Sequence, residues 1–125
     1  MNDKMLRDSE LFKINLEEIS SRFPWEGRKS LSMAAEYFTD EGIAADISRM
    51  KDCERIIREN TGFLSPFRGH LKMVLICKMY AQEAPEEFFL NIREAGAENY
   101  LGMLLESEDI FSEYLRAAME SDIIA

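Results

Sequence analysis

Leu71-Lys72-Met73-Val74-Leu75-Ile76-Cys77-Lys78-Met79-Tyr80-Ala81 is the stretch whose reading decides the fold of this chain. Only Lys72 and Lys78 interrupt an apolar surface that runs around the whole helical wheel, so the segment reads as a central helix buried on most sides. Such a helix needs neighbours on every flank. The residues beside it mark its limits. Ser65-Pro66 puts a capping serine before a proline at the first helical position, which predicts that a fourth helix starts there. Glu83-Ala84-Pro85 ends it and opens a fifth, with Glu86 and Glu87 at the positive end of the dipole. Gly69 is costly inside a first turn and predicts a close approach to the backbone.

Working outward, a first helix is expected from Asn2 to Ser21, with Leu6, Leu11, Phe12, Ile14, Leu16 and Ile19 on its apolar face. Phe23-Pro24-Trp25-Glu26-Gly27 stops it, and Trp25 is expected to anchor this turn between helices. A second helix runs from Arg28 to Phe38. A third runs from Ile43 to Asn60, with Ile43, Ile47, Met50, Ile56 and Ile57 inward. Asn60-Thr61-Gly62 should close it through the left-handed conformation that Asn and Gly tolerate. Two shorter helices, Ala97 to Leu105 and Asp109 to Asp122, complete the chain.

The expected fold is therefore all-α: five to seven helices packed as antiparallel hairpins in a single domain over residues 1–125. A shift of 42 residues superposes Gly27 on Gly69, Leu31 on Met73, Ala34-Ala35 on Ile76-Cys77, Phe38 on Tyr80 and Ile47 on Phe89. A period of that length also fits a short stack of helix pairs resembling an α-solenoid.

The 125 residues, 46% hydrophobic and 31% charged, suit one folded domain with a real core. No apolar run approaches the roughly 20 residues that cross a bilayer. The N-terminus has no continuous apolar stretch of the signal-peptide kind, so a cytoplasmic location and no membrane partner are expected. Cys53 and Cys77 are too few for a disulfide framework or a zinc site. Residues 1–82 carry thirteen acidic and thirteen basic side chains; residues 83–125 carry eleven acidic ones against Arg93 and Arg116, so the whole net charge of −9 sits there. An acidic face repels phosphate backbones and disfavours direct nucleic-acid binding.

Searches for catalytic patterns find no phosphate-binding glycine loop and no His-Glu-x-x-His pair. No cofactor or metal is expected, and the chain reads as non-enzymatic. Phe67-Arg68-Gly69-His70 is the one constellation with a chemical reading: Arg68 and His70 at a helix start could receive a carboxylate or phosphate. The competing reading has Arg68 paired with a neighbouring glutamate and His70 hydrogen-bonded structurally.

Asn60-Thr61-Gly62-Phe63-Leu64-Ser65-Pro66-Phe67-Arg68-Gly69, then the apolar helix and Ala84-Pro85-Glu86-Glu87-Phe88-Phe89, resembles a family of uncharacterised bacterial helical proteins. The shared features are a Phe-Arg-Gly turn, an apolar helix and a Pro-Glu-Glu helix start, over about residues 55–118. The resemblance implies an all-helical fold and no known activity.

The function expected from these readings is a helical protein-interaction module that offers a groove or acidic face to a protein with a basic surface. Glu98, Glu106, Glu108, Asp109 and Glu113 are the candidate partner-binding residues. Two alternatives stand beside it: an acidic inhibitor mimicking nucleic acid, and a small-ligand domain using Arg68 and His70. The apolar end Ile123-Ile124-Ala125 suggests homo-oligomerisation.

Overall fold

Residues 3–124 are described in a computed structural model, with side-chain surroundings given through Ser121. Seven α-helices form among them: α1 (Asp3–Arg22), α2 (Arg28–Asp40), α3 (Ile47–Glu59), α4 (Leu71–Tyr80), α5 (Pro85–Ala95), α6 (Ala97–Glu106) and α7 (Ile110–Ile124). A 3-10 turn, Pro66–Arg68, lies between α3 and α4. The expected helix start at Asn2 and the apolar end Ile123-Ile124-Ala125 fall outside the residues whose side chains are described.

The packing follows from α4. Leu71, Met73, Val74, Leu75, Ile76, Cys77 and Met79 are all buried, each worth roughly 1.5–3 kcal/mol when fully removed from water. No single neighbour could cover them. Helices α2, α3 and α5 all pack against α4. Contacts run α1–α3–α5 along one side and α2–α4 along the other, as in stacked hairpins. Helix α7 then folds back onto α2, so the stack closes on itself. The 42-residue shift superposes helices that are neighbours, α2 on α4 and α3 on α5. The close hairpins, however, are α1–α2 and α3–α4.

Turn chemistry decides where the elements start. Glu26 N–H bonds to the Phe23 carbonyl at 3.1 Å, closing a turn whose central residues are Pro24 and Trp25. Central turn residues point outward, so Phe23 is buried and Trp25 is 96% exposed. The expected anchor role passes to Phe23, whose ring also takes the Lys51 ammonium at 4.0 Å.

Helix α3 begins later than periodicity suggests, because Asp46 caps it by accepting from the Arg49 N–H at 3.3 Å. Ile43, expected inward, lies in the preceding loop and is exposed. That loop is held by Asn15, buried in α1. Its amide nitrogen donates to the Ile43 carbonyl (3.0 Å) and to Thr39 Oγ1 (3.3 Å), while its oxygen accepts from the Ala45 N–H (2.9 Å). On α1, Ile14 and Leu6 are exposed, because burial of Asn15 rotates the inward stripe.

Helix α4 also begins later. Gly69 leaves the helical region with ψ −129°, separating the Ser65-capped 3-10 turn from Leu71. The expected close approach at Gly69 does not occur; an added Cβ there would meet only the Pro66 carbonyl at 3.5 Å.

Arginines close several helix ends. The end of α3 has no left-handed residue, contrary to expectation, since Asn60 sits at φ −112°. Its carbonyls are taken by side chains: Asn60 Nδ2 to the Ile56 oxygen at 2.7 Å and Thr61 Oγ1 to the Ile57 oxygen at 2.6 Å. Arg68 and Arg93 add donors to the Arg58 and Asn60 carbonyls. Arg49 donates to the Tyr80 and Gln82 carbonyls at 2.8 and 2.7 Å, closing α4. Arg116 does the same for α6 at the Leu105 carbonyl. Cations at helix C-termini match the dipole and satisfy orphan carbonyls.

Asn15→Ala leaves the Ala45 N–H and Ile43 carbonyl without their partner and should lower stability by about 2 kcal/mol. Urea unfolding checks this through a lower midpoint at unchanged slope.

Candidate functional site

The candidate residues at the Phe-Arg-Gly turn are not arranged as one receptor. Arg68 lies in the 3-10 turn, where Nε donates to Thr61 Oγ1 at 2.9 Å and Nη2 to the Arg58 and Thr61 carbonyls at 2.6 and 2.9 Å. Among the described residues it pairs with no glutamate; its donors go to the end of α3. His70 is exposed and sits at the cap position of α4, without a side-chain capping bond.

Beside Arg68, Lys72 on α4 bridges Glu26 and Glu54, each at 2.8 Å, and Lys51 joins Glu54 at 3.3 Å. This cluster ties the α1–α2 turn and α3 to α4. Burial would raise the Glu54 carboxyl, but hydrogen bonds and charge from Lys72 and Lys51 outweigh it and hold it below the usual range. Burial would lower Lys72, yet the two carboxylates hold it above its usual value. Both shifts favour the charged pair.

The thiols are no nucleophiles. Burial pushes Cys53 up to about 11 and Cys77 further still. Among the described residues no group of three His, Cys, Asp or Glu side chains could hold a metal ion. No described helix is long and apolar enough to cross a membrane.

An apolar groove of 480 Å³ lies at the C-terminal end of α4, between α5 and α6. Phe88, Ile92 and Ala95 form one wall; Tyr100, Met103 and Leu104 form the other. Gly96 makes the groove possible. With φ +95° and ψ 147° it ends α5 and starts α6 in one residue, a conformation open to glycine and strained for other residues. Met103 is 67% exposed on the groove edge. Tyr100 is buried, and among the described residues its hydroxyl alone is a buried side-chain polar atom without a hydrogen-bond partner. Burial, then the nearby Asp109 carboxylate, hold that phenol above its usual range. Lys78, also in the wall, turns its ammonium over the Phe111 ring at 4.8 Å.

The acidic candidates divide around this groove. Glu98, Glu106, Glu108 and Glu113 are exposed. Helical spacing places Glu106 about 60° from Met103 and turns Glu98 about 140° away; neither lines the groove. Glu94 on α5 lines a different hollow, with Ile56, Ala84, Pro85 and Leu90. Asp109 has a structural task. Its Oδ1 accepts from the Phe111 and Ser112 N–H groups at 3.0 and 3.1 Å, and Ser112 Oγ lies 3.3 Å from the Asp109 N–H, the reciprocal cap of α7.

Comparisons with protein-family models, with curated proteins and with solved structures return no match.

The depressed Glu54 contributes stability that is complete above the ordinary carboxyl value of 4.5 and is lost as pH falls through its folded value. The raised Lys72 contributes below 10.5 and loses it as pH rises through its own folded value. Below pH 4.5 the thermal midpoint should therefore drop more steeply for the native chain than for Glu54→Gln. Parallel curves would show that the cluster carries no such linkage.

Proposed function

We propose that this chain is a non-enzymatic interaction module whose groove between α5 and α6 receives an amphipathic helix with basic flanks from a partner protein. The carrying observation is the groove itself: an apolar cleft of 480 Å³ in the part of the chain that holds all the net charge. Helix-in-groove recognition needs an apolar stripe for the partner's i, i+3 and i+4 side chains, and complementary charge along the edges. Phe88, Ile92, Met103 and Leu104 offer the first. Glu106, exposed one helical turn from Met103, offers the second.

A further fact supports this reading. Arg93 and Arg116, the only cations after residue 82, are bound to the Asn60 and Leu105 carbonyls and so are directed at the protein's own backbone. The carboxylates nearby are left facing solvent.

A synthetic amphipathic helix of leucine and lysine is the direct probe, observed through methyl-labelled methionines. The Met103 methyl signal should shift saturably, and affinity should fall as salt is added. Met103→Glu should weaken binding about tenfold, the effect of placing a charge in a desolvated contact. Glu106→Lys should mainly reduce the salt dependence. Binding that ignores Met103→Glu would place the peptide elsewhere and end the proposal.

A further inference from the structure

Two tight turns carry the three most exposed large apolar side chains among the described residues: Trp25 at 96%, Leu64 at 89% and Phe63 at 86%. We propose that these turns form an interfacial anchor, which lays this end of the protein on a membrane surface of anionic phospholipid. Trp25, Phe63 and Leu64 would enter the headgroup region, and the arginines around them would meet lipid phosphates. Lying on a bilayer needs no segment that crosses it, so the absence of a spanning run does not bear on this surface.

Turn geometry is the first reason. In one turn the Glu26 N–H bonds to the Phe23 carbonyl, and in the other the Ser65 N–H bonds to the Gly62 carbonyl, both at 3.1 Å. The central residues are therefore Pro24-Trp25 and Phe63-Leu64. Glycine, proline, asparagine, aspartate and serine are usual at such positions, each for its backbone or hydrogen-bonding effect. Phe63 and Leu64 give their turn neither. Apolar side chains of this size, gathered on two neighbouring tips, mark an interaction surface.

The two tips belong to one end of the molecule. Lys72 holds Glu26, the residue after Trp25, and Glu54 of α3, each at 2.8 Å. The hollow beside Trp25 and the hollow beside Phe63 share Arg68 and Lys72 as walls. Arg68 also ties down the second turn through the Thr61 hydroxyl and carbonyl, at 2.9 Å each. The tips are thus held in place beforehand, and docking them costs little ordering.

Charge selects the occupant. Residues 22–29 and 58–72 carry six cations against Glu26 and Glu59, in a chain of net charge −9. Arg22, Arg28 and Arg58 are exposed. Glu26 is half-buried on Lys72, which leaves Glu59 as the exposed carboxylate of these two segments. Helix α7 reaches the hollow beside Trp25 through Tyr114, Ala118 and Ser121, none of them acidic. Basic groups around apolar tips match an anionic leaflet. Shape argues the same way. A protein partner must supply a fitted pocket for each convex tip, whereas a lipid interface takes convex side chains without one, and tryptophan settles at headgroup level.

Trp25 is the only tryptophan, so its fluorescence reports insertion directly. Vesicles of mixed phosphatidylcholine and phosphatidylserine should shift its emission to the blue saturably, and added salt should weaken binding. Pure phosphatidylcholine should bind about tenfold more weakly, and soluble glycerophosphoserine should leave the emission unchanged. In co-sedimentation, Trp25→Ser and Phe63→Ser should each bind about tenfold more weakly, the loss of one aromatic side chain from the interface. Arg28→Gln should lose roughly fivefold on the anionic vesicles. None of these variants should lower the melting temperature, because the side chains are exposed. Met103→Glu, in the α5–α6 groove, should bind vesicles as the native chain does, so this test and that of the groove fail separately. No blue shift with anionic vesicles, the same shift with glycerophosphoserine, or native-like vesicle binding by Phe63→Ser would each overturn the proposal. So would binding of soluble polyglutamate in place of vesicles, which would assign the surface to an acidic protein.

Discussion

A ten-residue helix with apolar side chains on nearly every face, α4, is the constraint from which the other elements take their places. Left against water on any side it would forfeit several side chains' worth of burial, each roughly 1.5–3 kcal/mol. It is therefore covered by α2, α3 and α5 directly. Its ends are a separate problem, because a helix buried laterally still presents orphan carbonyls. Arg49, half-buried beside Tyr80, meets that need with two bonds and lays its guanidinium over the ring at 5.2 Å. At the other end Lys72 enters a cluster with carboxylates from the α1–α2 turn and α3. Polar groups therefore fix the height of α4 in the stack, while the apolar ones fix only that it is inside.

Asn15 plays a comparable part for the loop between α2 and α3. Its single amide meets three groups, two of them backbone groups of residues 43–45, and sets where α3 can begin. Asp46 then caps α3, and its own N–H donates to the Tyr80 hydroxyl at 3.0 Å. One chain of hydrogen bonds thus runs from α1 through the loop to the end of α4. This explains why a segment with the composition of helix, Ile43-Ala44-Ala45, is not helical. Its backbone groups have better-placed partners outside a helix, and tertiary pairing overrides weak local propensity.

The helices were legible because their apolar residues recur at helical spacing and their stops are Pro, Gly or capping residues. Helix α5 begins at Pro85 and α2 at Arg28, both as read from the chain. What was not legible depends on direction and partnership, which spacing cannot encode. Phe23 and Trp25 are two residues apart in one turn, and only the turn's closing bond decides that the first is buried and the second is not. Arg68 looked like a ligand donor because its sequence neighbours are glycine and histidine; its donors go to α3, which no local pattern announces. For the same reason Asn15 was invisible in an otherwise amphipathic stripe. The pair Arg28-Lys29 follows a glycine at a helix start and stands at the same place in the 42-residue echo as His70-Leu71.

That echo bears on the molecule's shape more than on its ancestry. The two superposed turns, Trp25-Glu26-Gly27-Arg28 and Phe67-Arg68-Gly69-His70, line one cavity, because the helices that follow them, α2 and α4, lie side by side. Stacking similar hairpins brings equivalent helix starts together, and with them their positive dipole ends. The two turns then differ where they meet. Phe67 is buried against Phe89, with ring centroids 5.5 Å apart, and Arg68 closes a helix, so that turn is structural. Its counterpart leaves the indole and Arg28 facing solvent. At the far end of α4, the short Gly96 corner opens an apolar groove instead. The charge asymmetry along the chain therefore becomes an asymmetry between the surroundings of the two ends of one buried helix.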